Sequence, residues 1–193
     1  MAIVRPFKGL RPPKDIAAKV ASFPYDVLNS EEARELAKDN PQSFLHINKP
    51  EIDLDPGINL YDQQVYDKAV ANFKMFQDKG WLVRDAGDYF YIYKQVMNGR
   101  SQIGLMCCCS AQEYWDGKIK RHEFTRKDKE EDRLKHVDLT NCNAGPVFLT
   151  YPARDSINTL IDEIVKTKPE VDFTSEDGIG HVLWVVKDAE WAK

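Results

Sequence analysis

The chemistry-bearing side chains of this chain concentrate in Ile119–His136, which reads IKRHEFTRKDKEEDRLKH and holds fourteen ionisable residues in eighteen positions. His122, Glu123 and Thr125 fall where an extended piece would turn into a helix. The free N–H groups of a first helical turn and the helix dipole favour an anion there. Lys127, Lys129 and Arg133 would add positive charge suited to phosphate, and a histidine beside it could serve as general acid or base. The same window carries Glu123, Asp128, Glu130, Glu131 and Asp132. These largely cancel the basic charge, and ion pairing three or four residues apart accounts for them without a ligand. A solvated charged helix and a phosphate-handling site both remain open on the residues alone.

Other chemistries find little support. The phosphate-loop, dinucleotide-binding, nucleophile-elbow and zincin motifs are absent, and His122-Glu123 has no second histidine four residues on. Cys107, Cys108 and Cys109 are consecutive. Neighbours on a strand point to opposite faces, so three in a row cannot all reach one metal ion. They read as small apolar residues of a buried strand, and nothing ties Cys142 to a histidine. His46 and His181 read as hydrogen-bonded core histidines.

At 193 residues, with 42% hydrophobic and 30% charged residues, the chain has the composition of an ordinary globular protein able to bury a core. A net charge of −4 and a pI near 5.6 argue against a nucleic-acid partner. No apolar run approaches a membrane span, and MAIVRPFKGLRPP lacks the apolar stretch of a secretory signal. The expected location is the cytoplasm, with no disulfide framework.

Among the elements that would position the charged segment, Pro12-Pro13 introduces a short helix through Ile16, Ala17 and Val20. Asn29 or Ser30 caps a second helix, with Glu31 and Glu32 in its first turn. Phe44–Ile47 has strand composition. Leu60–Lys79 is the clearest helix, its stripe running through Tyr61, Val65, Ala69, Phe73 and Phe76, with Gly80 as terminator. Tyr89–Met97 and Arg100–Ala111 form a hairpin about Asn98-Gly99, and the apolar run Ile103–Cys109 predicts a central strand covered on both faces. Thr125 is expected to cap the charged helix, with Asp128 as a capping-box partner. Pro146–Tyr151 reads as a buried strand, Ser156 caps a helix with Ile157, Leu160, Ile161 and Ile164 inward, Val171–Gly180 is a loop, His181–Val186 is the last strand, and Asp188–Lys193 is helical. The expected fold is α+β: a mixed, largely antiparallel sheet with a central β-hairpin (about 88–111) flanked by helices, in a single domain over 1–193.

Five blocks then carry a resemblance: R-P-F-K-G-L-R-P-P, F-P-Y-D-V-L-N-S-E-E-A, N-P-Q-S-F-L-H-I-N-K-P-E, R-H-E-F-T-R-K-D-K-E-E-D-R-L and G-P-V-F-L-T-Y. They resemble a bacterial and archaeal family catalogued as domain of unknown function number one thousand and fifteen. Complete members of that family continue further, into an Asp-Gly-His-His-Arg motif like that of ParB-type nucleotide-binding folds and a free serine kinase. That motif is absent here, and Asp177-Gly178-Ile179-Gly180-His181 does not replace it. The resemblance implies the N-terminal part of a longer enzyme that handles a nucleotide or phosphorylated small metabolite, serine-related chemistry included.

Carried over residue by residue, the family motif assigns acid/base roles to His122 and Glu123. It assigns substrate or phosphate contacts to Thr125, Lys129, Asp132 and Arg133, with Tyr25 and Asp26 of the P-Y-D-V block second in rank. A nucleotide with magnesium is the cofactor such phosphoryl transfer would use, although no acidic pair in the chain is diagnostic of a metal. The missing C-terminal domain is the expected macromolecular partner. The alternative is a non-catalytic module that docks a partner through 119–136.

Overall fold

The structure is a computed structural model that describes residues 2–122 and 124–187; the helix expected over Asp188–Lys193 lies outside them. In chain order the elements are β1 (Val4–Arg5), β2 (Leu10–Arg11), α1 (Ala17–Val20), α2 (Ser30–Ala37), α3 (Leu45–Asn48), a 3-10 turn (Pro50–Asp53), α4 (Gln63–Asp78) and β3 (Val83–Arg84). There follow β4 (Phe90–Met97), β5 (Arg100–Met106), β6 (Cys108–Cys109), α5 (Ala111–Trp115), α6 (Lys127–Thr140), α7 (Asp155–Ile164), β7 (Val171–Thr174) and β8 (Gly180–Val186). The fold is α+β with antiparallel pairing in its four-stranded sheet. Within the span expected to be one domain, two compact units are distinguishable. The first comprises Met1–Lys14, Arg84–Glu123 and Leu149–Lys193, and the second Asp15–Val83 and Phe124–Phe148.

The first unit is built on the sheet β5-β4-β8-β7. Its hairpin turns at Asn98 (φ 52°) and Gly99 (φ 75°), the paired positive φ values that a two-residue turn matching strand twist demands. β4 lies between β5 and β8, in register from Phe90 opposite Val186 to Val96 opposite Gly180. Ile92, Val182 and Trp184 form the core, and Ile161 and Ile164 of α7 pack on it. The expectation of a central, doubly covered strand over Ile103–Cys109 is corrected: β5 is an edge, exposed from Arg100 to Gly104. The run divides at Cys107, after which β6 pairs with β1, Cys109 opposite Val4. Val171–Thr174, expected as loop, forms the opposite edge strand.

A polar knot closes this unit near its N-terminal segment. Arg11 makes two 2.9 Å contacts with Asp85, the Tyr91 hydroxyl donates to Asp85 at 2.8 Å, and the Gly9 N–H donates to that hydroxyl at 2.8 Å. A Cβ on residue 9 would stand 2.5 Å from the Tyr91 oxygen, so glycine is required for the close approach. Burial, then the bond to Asp85, pushes the Tyr91 phenol up to about 12.

The second unit is helical in its described residues. Of the two cap residues the sequence offers, Asn29 caps α2, and Glu32 completes a capping box with it. α4 buries Val65, Tyr66, Ala69, Asn72 and Phe76, and Ala33, Ala37, Leu45 and Ile52 form a further cluster. Phe44–Ile47 is helical rather than extended: the Leu45 N–H donates to Ser43 Oγ at 3.3 Å, and backbone bonds Ile47→Phe44 and Asn48→Phe44 wind the turn. Asp53 joins it to α4, accepting from Asn72 at 2.7 Å and meeting His46 Nδ1 at 2.8 Å.

Two further expectations are corrected around α6. Thr125 does not cap it; Arg126 is the N-cap residue, without a side-chain cap, and Asp128 pairs with the Arg126 guanidinium at 2.7 Å. An ionic partner two residues away thus displaces the capping box. Pro146–Tyr151 forms no strand; Val147 and Phe148 are 76% and 74% exposed. β-Propensity describes fit to a pleated, half-buried surface, and at this point the chain is passing from the second unit to the first.

Candidate functional site

The side chains that the structure gathers lie on the α6 face that packs toward α4, entirely within the second unit. Helical spacing places Lys129, Asp132, Arg133 and His136 on neighbouring turns of that face. Asp132 is its hub. The Tyr66 hydroxyl donates to Asp132 Oδ1 at 2.7 Å, while Arg133 Nε and Nη2 donate to Oδ2 at 3.0 and 2.8 Å. Burial, followed by the bond to the Asp132 carboxylate, raises the Tyr66 phenol above its ordinary range, so it remains a neutral donor.

Tyrosine rings accompany each cation. The Arg133 guanidinium carbon lies 4.2 Å from the centre of the Tyr25 ring, and Lys135 Nζ lies 4.0 Å from that of Tyr66. Lys129 Nζ donates to the Tyr61 hydroxyl at 3.4 Å. Such cation–ring contacts hold flexible cationic side chains in place without neutralising them. One turn further on, His136 is buried and its Nε2 donates to the Ile47 carbonyl at 2.9 Å. Burial lowers its pKa, which makes it a neutral anchor of α6 and removes it from the acid/base inventory.

Of the residues named from the sequence, Tyr25, Lys129, Asp132 and Arg133 are brought together. Thr125 is exposed ahead of α6, and Asp26 is exposed beside Tyr25. His122 is an exposed residue of the first unit, and Glu123 lies outside the described residues. Sequence reasoning missed Tyr66 and Lys135, and it assigned Tyr61 to the core although its ring is exposed. The available signal was tyrosine rather than phenylalanine on the inward face of α4, since a buried phenol seeks a polar partner.

The arrangement suits an anion better than a metal. Both Asp132 oxygens already accept from protein donors, and a magnesium ion would have to displace Tyr66 or Arg133. No group of three or more His, Cys, Asp or Glu side chains able to hold a metal occurs among the described residues. Asp132 compensates Arg133, and Lys129 and Lys135 lie against the Tyr61 and Tyr66 rings. The two lysines place positive charge beside aromatic surface.

A family model described as "Protein of unknown function (DUF1015)" matches residues 4–193. No curated protein and no solved structure matches the chain.

Proposed function

The chain belongs to the DUF1015 family, and from that premise we propose that its second unit binds a phosphorylated small metabolite or a nucleotide. Lys129 and Arg133 would hold the phosphate, with Tyr25 and Tyr61 flanking it. The observation that carries this reading is the pair of α6 cations, four residues apart, each positioned by a tyrosine from a different segment. Asp132 holds Arg133 through Nε and Nη2, which leaves Nη1 to contact a phosphate, and an oriented guanidinium loses less rotamer freedom when the phosphate arrives. Magnesium, where a nucleotide is the ligand, would come with the phosphates rather than be held by Asp132.

A thermal-shift series with phosphoserine, inorganic phosphate and nucleoside mono-, di- and triphosphates tests the reading. A ligand at about a hundred times its dissociation constant stabilises the native state by roughly 2.7 kcal/mol. For a chain of this size that corresponds to about 5–10 °C in the melting temperature. The shift is expected for at least one phosphorylated ligand and is expected to vanish in Lys129→Ala and Arg133→Gln. An unchanged shift in both variants refutes the assignment.

A second reading has its own observation. Leu134, on the same helix, is 68% exposed in the midst of mixed charges, which suits docking of a partner through 119–136. Charge reversal at Lys129 and Arg133 would then weaken association, and no phosphorylated small molecule would raise the melting temperature. A cytoplasmic location accords with the unbridged Cys107, Cys108 and Cys109. Among the described residues, no helix is long and apolar enough to cross a membrane.

A further inference from the structure

The two edges of the four-stranded sheet are unlike. β7 is short, carries Asp172 and is bracketed by Glu170 and Glu176; charges of this kind keep edge strands from pairing with other chains. β5 is longer, and no charged residue or proline occurs from Ser101 to Gln112. Among the described residues β5 ends the sheet, exposed from Arg100 to Gly104, with Ile103 39% exposed. We propose that β5 pairs antiparallel with β5 of a second copy of this chain, joining the two sheets into one across a twofold axis.

The hairpin register decides which backbone groups are available. A two-residue turn closes on a hydrogen-bonded pair, here Met97 and Arg100, and such pairs alternate along the ladder. Gln102, Gly104 and Met106 therefore bond to β4, while the N–H and C=O groups of Ser101, Ile103 and Leu105 point along the free edge. A twofold axis at Ile103 sets these three against the same three of the second copy, Ser101 opposite Leu105 and Ile103 opposite Ile103, and each pair can exchange both bonds. The same register places Arg100 opposite Met106, so the arginines stand at opposite ends and like charges do not meet. Gln102 falls opposite Gly104, where no described residue beyond the chain neighbours comes within 4 Å of the place a Cβ would take, which leaves room for the glutamine. The two half-exposed Ile103 side chains cover one another. A twofold contact requires a strand complementary to itself; β5 meets that requirement, which identifies the occupant as a second copy.

Sedimentation velocity on the full chain over about a hundredfold range of concentration should show monomer passing to dimer. Ile103→Glu sets two carboxylates face to face across the axis, yet opposite Lys94 within its own hairpin. The dimer should weaken at least tenfold with little change in melting temperature. Ile103→Lys should weaken it likewise, and mixing the two variants should restore it, because unlike charges then meet at the axis. Ser101→Pro removes only an outward N–H and spares the bonds to β4, so it should weaken the dimer while the circular-dichroism spectrum stays that of the folded chain. Thr174→Glu, on the opposite edge, should leave the dimer as it is. A chain that is monomeric throughout overturns the proposal. So does a dimer that survives Ile103→Glu and Ser101→Pro, a mixture that stays monomeric, or equal weakening by Thr174→Glu.

Discussion

Replacing Tyr66 by phenylalanine deletes one oxygen and leaves the buried ring where it is. The deleted hydroxyl donates to Asp132 Oδ1 at 2.7 Å, and Arg133 serves only the other oxygen. Hydrogen bonds to charged acceptors contribute about 1.5–3 kcal/mol. The Asp132 side chain retains 13% of its exposure, so water can reach Oδ1 and recover part of the loss. The expected destabilisation is therefore about 1–2 kcal/mol, equivalent to roughly 2–8 °C in a chain of this length. Urea denaturation is the direct assay: the midpoint should fall while the slope m stays constant, because the surface exposed on unfolding hardly changes. A cycle with Asp132→Ala should return a coupling energy of about 1 kcal/mol or more. Additivity within about 0.3 kcal/mol would mean that the bond does not organise the α4–α6 contact, and the account of Asp132 as hub would fail.

Two further predictions concern stability. His46 and His136 should respond to pH in opposite senses. The hydrogen bond to Asp53 raises the His46 pKa, so its contribution is fully present below the unfolded value of about 6.5 and is lost as pH rises through the folded one. Burial lowers the His136 pKa, so the unfolded chain binds the extra proton and stability falls as pH drops below about 6.5. Denaturation midpoints across pH 5–8 should show His46→Gln losing the alkaline decline and His136→Gln losing the acidic one; identical profiles would contradict both assignments. Gly9→Ala should destabilise the first unit by about 1–3 kcal/mol, because its Cβ meets the Tyr91 hydroxyl at 2.5 Å. A circular-dichroism melt within about 1 °C of the unchanged chain would show that the Tyr91–Asp85 knot yields freely.

Legibility in the sequence followed locality. The Asn98-Gly99 turn, a helix cap at Asn29 or Ser30 and the α4 stripe from Val65 to Phe76 each depend on a few adjacent residues, and each is found, the cap at Asn29. Failures arose where the deciding partner is remote. Ile103–Met106 is apolar enough for a central strand, yet β8 and not β5 takes the middle of the sheet. The Thr125 cap failed for a local reason instead, because Arg126 and Asp128 engage one another. The site was half readable, again because a deciding partner is remote. Lys129, Asp132 and Arg133 stand out as a charged cluster, and the P-Y-D-V block drew attention to Tyr25. Nothing local reveals that Tyr66, sixty-six positions from Asp132, supplies its hydroxyl.

The chain passes between its two units at Lys14, Val83, Glu123 and Phe148, and this interleaving sets an order of assembly during synthesis. The second unit has its last segment once Phe148 has left the ribosome. The first must wait much longer, because β8 is the strand between β4 and β7 and ends at Val186. Until then β4 and β5 form a hairpin whose inner edge, Phe90–Val96, lacks its partner. Such long-range closure is slow and exposes an unpaired edge meanwhile. The helical half can therefore mature first, while the β half completes only with the arrival of its final hairpin.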